Sequence, residues 1–126
     1  MNPFLIMLGV ALAGGLGAVV RWLLDGWIPR PGSRPFPLGI MIINVSGSAV
    51  LGWLTGATSA GSVPVGALVI VGAGLLGGYT TFSTASYETV TLLAERRFVA
   101  GLLNGVGMLV AALGAAAAGL ALGLSM

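Results

Sequence analysis

Charged side chains are confined to short segments, and this placement limits the possible folds more than any other feature. Three uncharged stretches remain, at residues 1–20, 35–87 and 98–126. A helix that crosses a bilayer needs about 20 consecutive, mainly apolar residues. The first and last stretches are long enough for one span each, and the middle stretch for two. The charged residues between them are Arg21, Asp25, Arg30, Arg34, Glu88, Glu95, Arg96 and Arg97.

The composition agrees with a membrane protein. Charged residues make up 6% of the chain and the mean hydropathy is +1.08, whereas a soluble domain carries about 25% charged residues. We predict an all-α membrane protein, one domain over residues 1–126, with four transmembrane helices near 4–24, 38–55, 65–87 and 98–126. The start, MNPFLIM, has no basic segment before its apolar run, so we expect the first span to stay as a signal anchor.

Few residues could carry out catalysis. The chain has no cysteine and no histidine, which excludes thiolate and Ser–His chemistry, and its three acids are predicted in or near loops. An enzyme needs a base or nucleophile with an activating partner, so the sequence argues against an enzyme. The arginines lie at span ends, where they orient helices in anionic membranes, and we expect no nucleic-acid partner.

The segment GGYTTFSTA, residues 77–85, combines two glycines with four hydroxyl side chains inside the third span. Glycine is a weak helix former, so we predict that this span is broken near Gly77-Gly78. Non-helical backbone at membrane depth is tolerated where protein or a polar cavity surrounds it, and half-helix ends can hold ions. The segment therefore favours an ion site with neutral donors. The alternative is a glycine kink whose hydroxyls bond back to their own helix.

Small residues recur at four-residue spacing on every span. Such stripes let helix backbones approach closely in lipid. They indicate packing within the four-helix unit, and a close dimer is a second possibility. The stripes are Gly9, Ala13, Gly17; Ser48, Gly52, Gly56; Gly74, Gly78; Gly101, Gly105; and Ala111, Ala115, Gly119, Gly123.

Three ordered motifs resemble the CrcB/Fluc family of fluoride channels. GGYTTFST resembles that family's third-span signature, GGLGAVVRW (14–22) its first-span motif, and GIMIINVSG (39–47) its second-span motif. The resemblance implies a four-helix subunit that forms an antiparallel dimer with two narrow fluoride paths beside the subunit interface. It also implies passive export of fluoride that entered the cell as HF.

The resemblance also implies roles for individual residues. Phe82 would present its positive ring edge to fluoride, and Asn44 would donate its amide. Arg21 would lie at the cytoplasmic end of the first span and attract anions. Snorkelling of Arg21 and interhelical bonding by Asn44 are the alternatives. The remaining residues implied for the fluoride path or the broken helix are Thr81, Ser83, Thr84 and Asn104.

The resemblance further implies a structural Na⁺ at the centre of the dimer. Backbone oxygens at the positions of Gly77 and Thr80 would hold it, together with those of the other subunit.

The chain departs from the family pattern at the predicted pore. Ala85 replaces a second phenylalanine of the third span, and Met108 replaces a serine in the fourth, with Ala112 at the next polar position. These changes favour a second reading, a non-conducting structural partner of a related channel subunit. A third reading is an exporter of the small multidrug resistance type, although the membrane carboxylate expected for it is missing.

Charge placement predicts the topology. The loops at 25–37 and 88–97 should lie on one side of the membrane with all five arginines, and the opposite side has no Lys or Arg. The positive-inside rule then places both termini outside the plasma membrane. A chain inserted in one orientation needs a related subunit of opposite topology to form an antiparallel dimer. A homodimer is the alternative.

Overall fold

The computed structural model describes residues 2–126. Over this range the chain is helical without a strand, in the order α1 Pro3–Trp27, α2 Leu38–Ser59, α3 65–79, α4 Phe82–Ala94 and α5 Phe98–Leu124. Helices α3 and α4 follow each other in one span, Val65–Ala94. Within the described residues, four helical stretches are therefore long and apolar enough to cross a membrane, which confirms the predicted all-α membrane fold.

The helix ends follow from local sequence. Pro3 occupies the first turn of α1, where a missing N–H costs nothing, and the Asn2 side chain accepts a bond from the Phe4 N–H at 2.9 Å. Helix α1 ends at Trp27, two residues before Pro29. The proline-rich segment 28–37 has no regular helix, as predicted.

Two helix pairs form through glycine contacts, α1 with α3 and α2 with α5. A Cβ at Gly17 would overlap the carbonyl oxygen of Leu75, and one at Gly52 would overlap the carbonyl oxygen of Ala116. Side chains larger than hydrogen would therefore separate the paired backbones. Packing inside the four-helix unit accounts for these stripes.

The buried core between the pairs is small. Its central cluster contains Ile40, Ile43 and Met108, and Tyr79 and Ala85 pack against it. Large apolar side chains cover the exterior, and Trp22 and Val99 are each 75% exposed. Such a surface suits lipid or another subunit rather than water.

The two arginine-bearing loops meet at one end of the bundle. The Arg97 guanidinium donates to the carbonyl oxygens of Pro35 and Arg34, each at 3.0 Å. At the opposite end, the indole of Trp53 lies 3.2 Å from the sulfur of Met126. Residues 28–37 and 95–97 therefore lie at one end of the bundle, whereas residues 88–94 of the predicted loop are helical because α4 continues to Ala94.

Candidate functional site

Helix α3 ends at Tyr79 and helix α4 begins at Phe82, so the predicted break is confirmed and lies at Thr80–Thr81. Thr80 (φ −83°, ψ 159°) and Thr81 (φ −149°, ψ 129°) are both extended. Gly77, in contrast, is helical (φ −61°, ψ −38°). The non-helical residues therefore begin two positions after Gly78, and the glycines themselves lie in the last turn of α3.

The two glycines have different surroundings. A Cβ at Gly78 would overlap the carbonyl oxygen of Gly14, so Gly78 permits close contact between α1 and α3. A Cβ at Gly77 would meet nothing within 4 Å, and Gly77 lines a groove. Neither glycine is needed for an unusual torsion angle.

Asn44 of α2 holds the break open. In a continuous helix the Thr81 N–H would bond to the carbonyl of Gly77. It donates instead to Asn44 Oδ1 at 2.9 Å, while Asn44 Nδ2 donates to the Thr81 carbonyl at 2.8 Å. The side-chain amide thus binds both backbone groups of one residue, 37 positions away in the chain. Asn44 therefore forms the interhelical hydrogen bonds that were the alternative to its role as a fluoride donor.

Thr81 also starts the second half of the span. Its hydroxyl oxygen accepts from the Thr84 N–H at 3.3 Å as the N-cap of α4, and it lies 3.3 Å from the hydroxyls of Ser83 and Thr84. The hydroxyl of Thr80 donates back to the Leu76 carbonyl at 2.9 Å. The hydroxyls of Thr80 and Thr81 therefore form hydrogen bonds with backbone groups on either side of the break.

The break leaves backbone groups without helical partners on both sides. The last carbonyls of a helix and its first N–H groups have no partner within that helix, and they carry partial negative and positive charge respectively. Here the carbonyl end of α3 and the N–H end of α4 meet at Thr80–Thr81. One point in the span therefore offers oxygens suited to a cation and N–H groups suited to an anion.

A groove of about 590 Å³ runs past the break between α2, α3–α4 and α5. Asn44, Gly77, Thr80, Thr81, Phe82 and Asn104 all line it. Phe82 is 88% exposed and stands at the first position of α4. Six of the nine predicted site residues thus share one surface.

Two segments of wider π-helix border the groove. They are Leu68–Leu76 in α3 and Leu103–Gly107 in α5. π-Helical segments are rare in proteins overall, and those that occur are often found at functional sites. The second one carries Asn104, a fully buried residue.

Asn104 has one satisfied and one unsatisfied end. Its Nδ2 donates to the Thr89 hydroxyl at 2.9 Å and to the Ala85 carbonyl at 3.4 Å. Its Oδ1 is buried and finds no partner within residues 2–126. The sequence analysis did not identify Thr89, although Ala85 and Thr89 are four residues apart and therefore lie on the same face of a helix.

Tyr79 was also missed. Its hydroxyl lies 3.0 Å from Ser46 Oγ, and Ser46 donates to the Ile43 carbonyl at 3.1 Å. This pair joins the end of α3 to α2 beside the break. The adjacent Gly47 permits the contact, since a Cβ there would overlap the Thr80 side chain.

Arg21 lies apart from the other predicted residues. It is on α1, six residues before the end of that helix, and it is outside the groove. Within the described residues it makes no hydrogen bond or ion pair. Ser83 and Thr84 also lie outside the groove lining and join the site through Thr81.

Charges surround a second depression, of about 570 Å³, at the loop end of the bundle. Arg30, Arg34, Glu88 and Arg97 line it. Arg30 forms an ion pair with Asp25 at 2.7 Å, and Glu88 Oε2 is buried without a partner in residues 2–126. The groove at the break is neutral by comparison.

The combination of an interrupted span and a neutral, amide-lined groove can be compared with known proteins. The family model described as CrcB-like protein, Camphor Resistance (CrcB), matches residues 8–120. The chain belongs to the CrcB-like family. This match covers the second and third spans completely and most of the first and fourth, and it includes the three motifs that indicated the family.

Curated relatives resemble this chain over 67% to 98% of its length. A protein of Leifsonia xyli subsp. xyli named "Fluoride-specific ion channel FluC 1" is 53% identical over 98% of this chain and 89% of its own. "Fluoride-specific ion channel FluC 2" of Mycolicibacterium paratuberculosis is 44% identical over 94% and 92%. A third, "Fluoride-specific ion channel FluC" of Methanopyrus kandleri, is 52% identical over 67% and 63%.

Proposed function

We propose that this CrcB-like protein is a subunit of a fluoride-selective channel that passively exports fluoride, and not an enzyme. The observation that carries the proposal is the interruption at Thr80–Thr81, which opens backbone dipoles onto a neutral groove inside the membrane. The choice of fluoride as the ion rests on the curated relatives, which are named fluoride-specific ion channels. A full positive charge would hold a dehydrated anion too tightly to release it, so neutral donors suit conduction.

The fluoride path follows the groove. The ring edge of Phe82 and the N–H groups of Asn44 offer weak positive poles along it. Asn104 lines the same path, with its own N–H groups bonded to Thr89 and Ala85. Thr81, Ser83 and Thr84 hold the start of α4 in place and present hydroxyls beside it. Arg21 acts before an anion reaches the groove, by attracting anions to the arginine-rich end of the bundle.

Sodium would bind at the carbonyl end of α3. Hard cations take oxygen ligands, and the Gly77 carbonyl is available because its usual donor, the Thr81 N–H, bonds to Asn44. The Thr80 carbonyl, in an extended residue, is a second oxygen at the same end. Two oxygens from one chain are too few for a cation, so a second subunit would complete the site. The ion would tie the subunits together.

The partner in this proposal is a related subunit in the opposite orientation. All five arginines lie at or near one end of the bundle, and the Arg97 bonds to the 28–37 loop hold the two loops together there. The positive-inside rule places that end in the cytoplasm and both termini outside the plasma membrane. An antiparallel partner then needs the opposite charge bias, unless the chain inserts both ways and forms a homodimer.

A second candidate is a structural partner whose own pore does not conduct. Ala85 and Met108 favour it, because both line the groove with apolar atoms. In this case the conducting path would use residues of the other subunit.

Fluoride efflux from liposomes tests the proposal. The purified chain is reconstituted alone, and fluoride release is followed with an ion-selective electrode beside a matched chloride experiment. Release of fluoride without chloride supports a conducting homodimer. No release by the chain alone, with release after co-reconstitution with a related subunit, supports pairing with that subunit, either as a conducting heterodimer or with this chain as the structural partner. No release in either experiment refutes the channel proposal.

A further inference from the structure

Met108 makes a contact that its apolar character does not lead one to expect. The Asn44 amide has two N–H groups, and one of them bonds to the Thr81 carbonyl at 2.8 Å. The other points at Met108 Sδ, with Nδ2 and the sulfur 3.2 Å apart. Both donors of Asn44 are therefore occupied.

The two acceptors differ greatly in strength. A backbone carbonyl is a strong acceptor, whereas a thioether sulfur is a weak one. A hydrogen bond to an ion is stronger than a neutral one. An anion in the groove would therefore displace Met108 from Asn44 before it displaced Thr81.

Met108 is well placed for such an exchange. It is 5% exposed and packs with Ile40 and Ile43 in the core, while it also lines the groove beside Asn44. Methionine is unbranched and flexible, so its sulfur can move without disturbing the core. The Asn44 side chain cannot rotate, because Thr81 holds it at both ends.

We propose that Met108 is a positioning residue that holds the second Asn44 N–H until fluoride replaces the thioether. This inference rests on the proposed function. The weak sulfur contact keeps the donor satisfied in the empty groove, and the strength of that contact sets how readily fluoride binds. A stronger acceptor at this position would compete with the ion, and a side chain without an acceptor would leave the N–H open to it.

Two variants of similar size separate these effects. Met108→Leu removes the acceptor at nearly constant volume, and we expect fluoride to bind about threefold to tenfold more tightly because a buried donor has lost its partner. Met108→Gln supplies a carbonyl oxygen and should weaken binding. Met41→Leu is the matched control, since Met41 packs against the same core cluster outside the groove lining.

The measurement uses the side-chain amide signals of asparagine. The chain has three asparagines, Asn2, Asn44 and Asn104, so ¹⁵N-asparagine labelling of the full-length protein in detergent gives a spectrum with few signals. Without fluoride, Met108→Leu should move one Asn44 amide proton upfield, while Met41→Leu leaves it in place. Sodium fluoride, titrated against sodium chloride, should move the same proton downfield at a lower midpoint in Met108→Leu.

An Asn44 signal that is identical in wild type and Met108→Leu would overturn the proposal. Equal fluoride midpoints in wild type, Met108→Leu and Met108→Gln would also overturn it, as would a proton that fluoride never moves. If liposomes released no fluoride with or without a related subunit but the titration gave the expected midpoints, the proposed function would fail and the role of Met108 would stand.

Discussion

Gly77 and Gly78 are adjacent in the same helix, and the structure predicts opposite effects of replacing each with alanine. A Cβ at Gly78 would overlap the Gly14 carbonyl oxygen and come within 2.8 Å of its carbon. These are backbone atoms, so α1 itself must move. A Cβ at Gly77 enters open space.

The expected magnitudes follow from two terms. Overpacking costs about 1–3 kcal/mol, while alanine gains about 0.5–1 kcal/mol over glycine in a helix. Gly77→Ala should therefore stabilise the protein slightly, and Gly78→Ala should destabilise it. The helix term cancels between the two variants, so their difference in unfolding free energy should be about 1–3 kcal/mol.

Thermal unfolding in detergent, followed by circular dichroism, measures this difference, and we expect midpoints several degrees apart. Because Gly77 faces the groove, the elution volume is recorded with each midpoint, so that loss of a partner is distinguished from loss of the α1–α3 contact. Equal destabilisation by both variants would refute the reasoning and would show that both glycines act through helix opening.

Three further predictions concern the site and the topology. Asn44→Leu should lower fluoride flux at least about tenfold and also lower the melting temperature, since it removes two bonds to the Thr81 backbone; full flux at wild-type stability would contradict this. Phe82→Ile should lower flux by a similar factor without a change in melting temperature, because Phe82 is 88% exposed; unchanged flux would remove it from the path. Single cysteines at the exposed Ser59 and Ser33, labelled in intact cells with an impermeant thiol reagent, should react at residue 59 alone, whereas comparable labelling at both sites would indicate dual insertion and a homodimer.

The sequence by itself determined the number of spans, their approximate ends and the end of the bundle that carries the arginines. Charges and prolines cannot be placed at the centre of a lipid-exposed helix without large cost, so the segments Arg21 to Pro37 and Glu95 to Arg97 had to lie at or near span ends. The small-residue stripes likewise required close helix contacts, although they did not say which helices pair. Only the folded structure shows that Gly17 packs against α3 and Gly52 against α5.

The position of the break and the state of its donors were decided by tertiary structure. Local propensity pointed to Gly77-Gly78 as the weak place in the helix, but a helix opens where its backbone groups have another partner. That partner is Asn44, which comes from a different span and reaches Thr81 rather than the glycines. The same contact commits one N–H of Asn44 and leaves the other on Met108. No pattern within residues 77–85 contains this information, because it depends on how α2 and α5 pack against them.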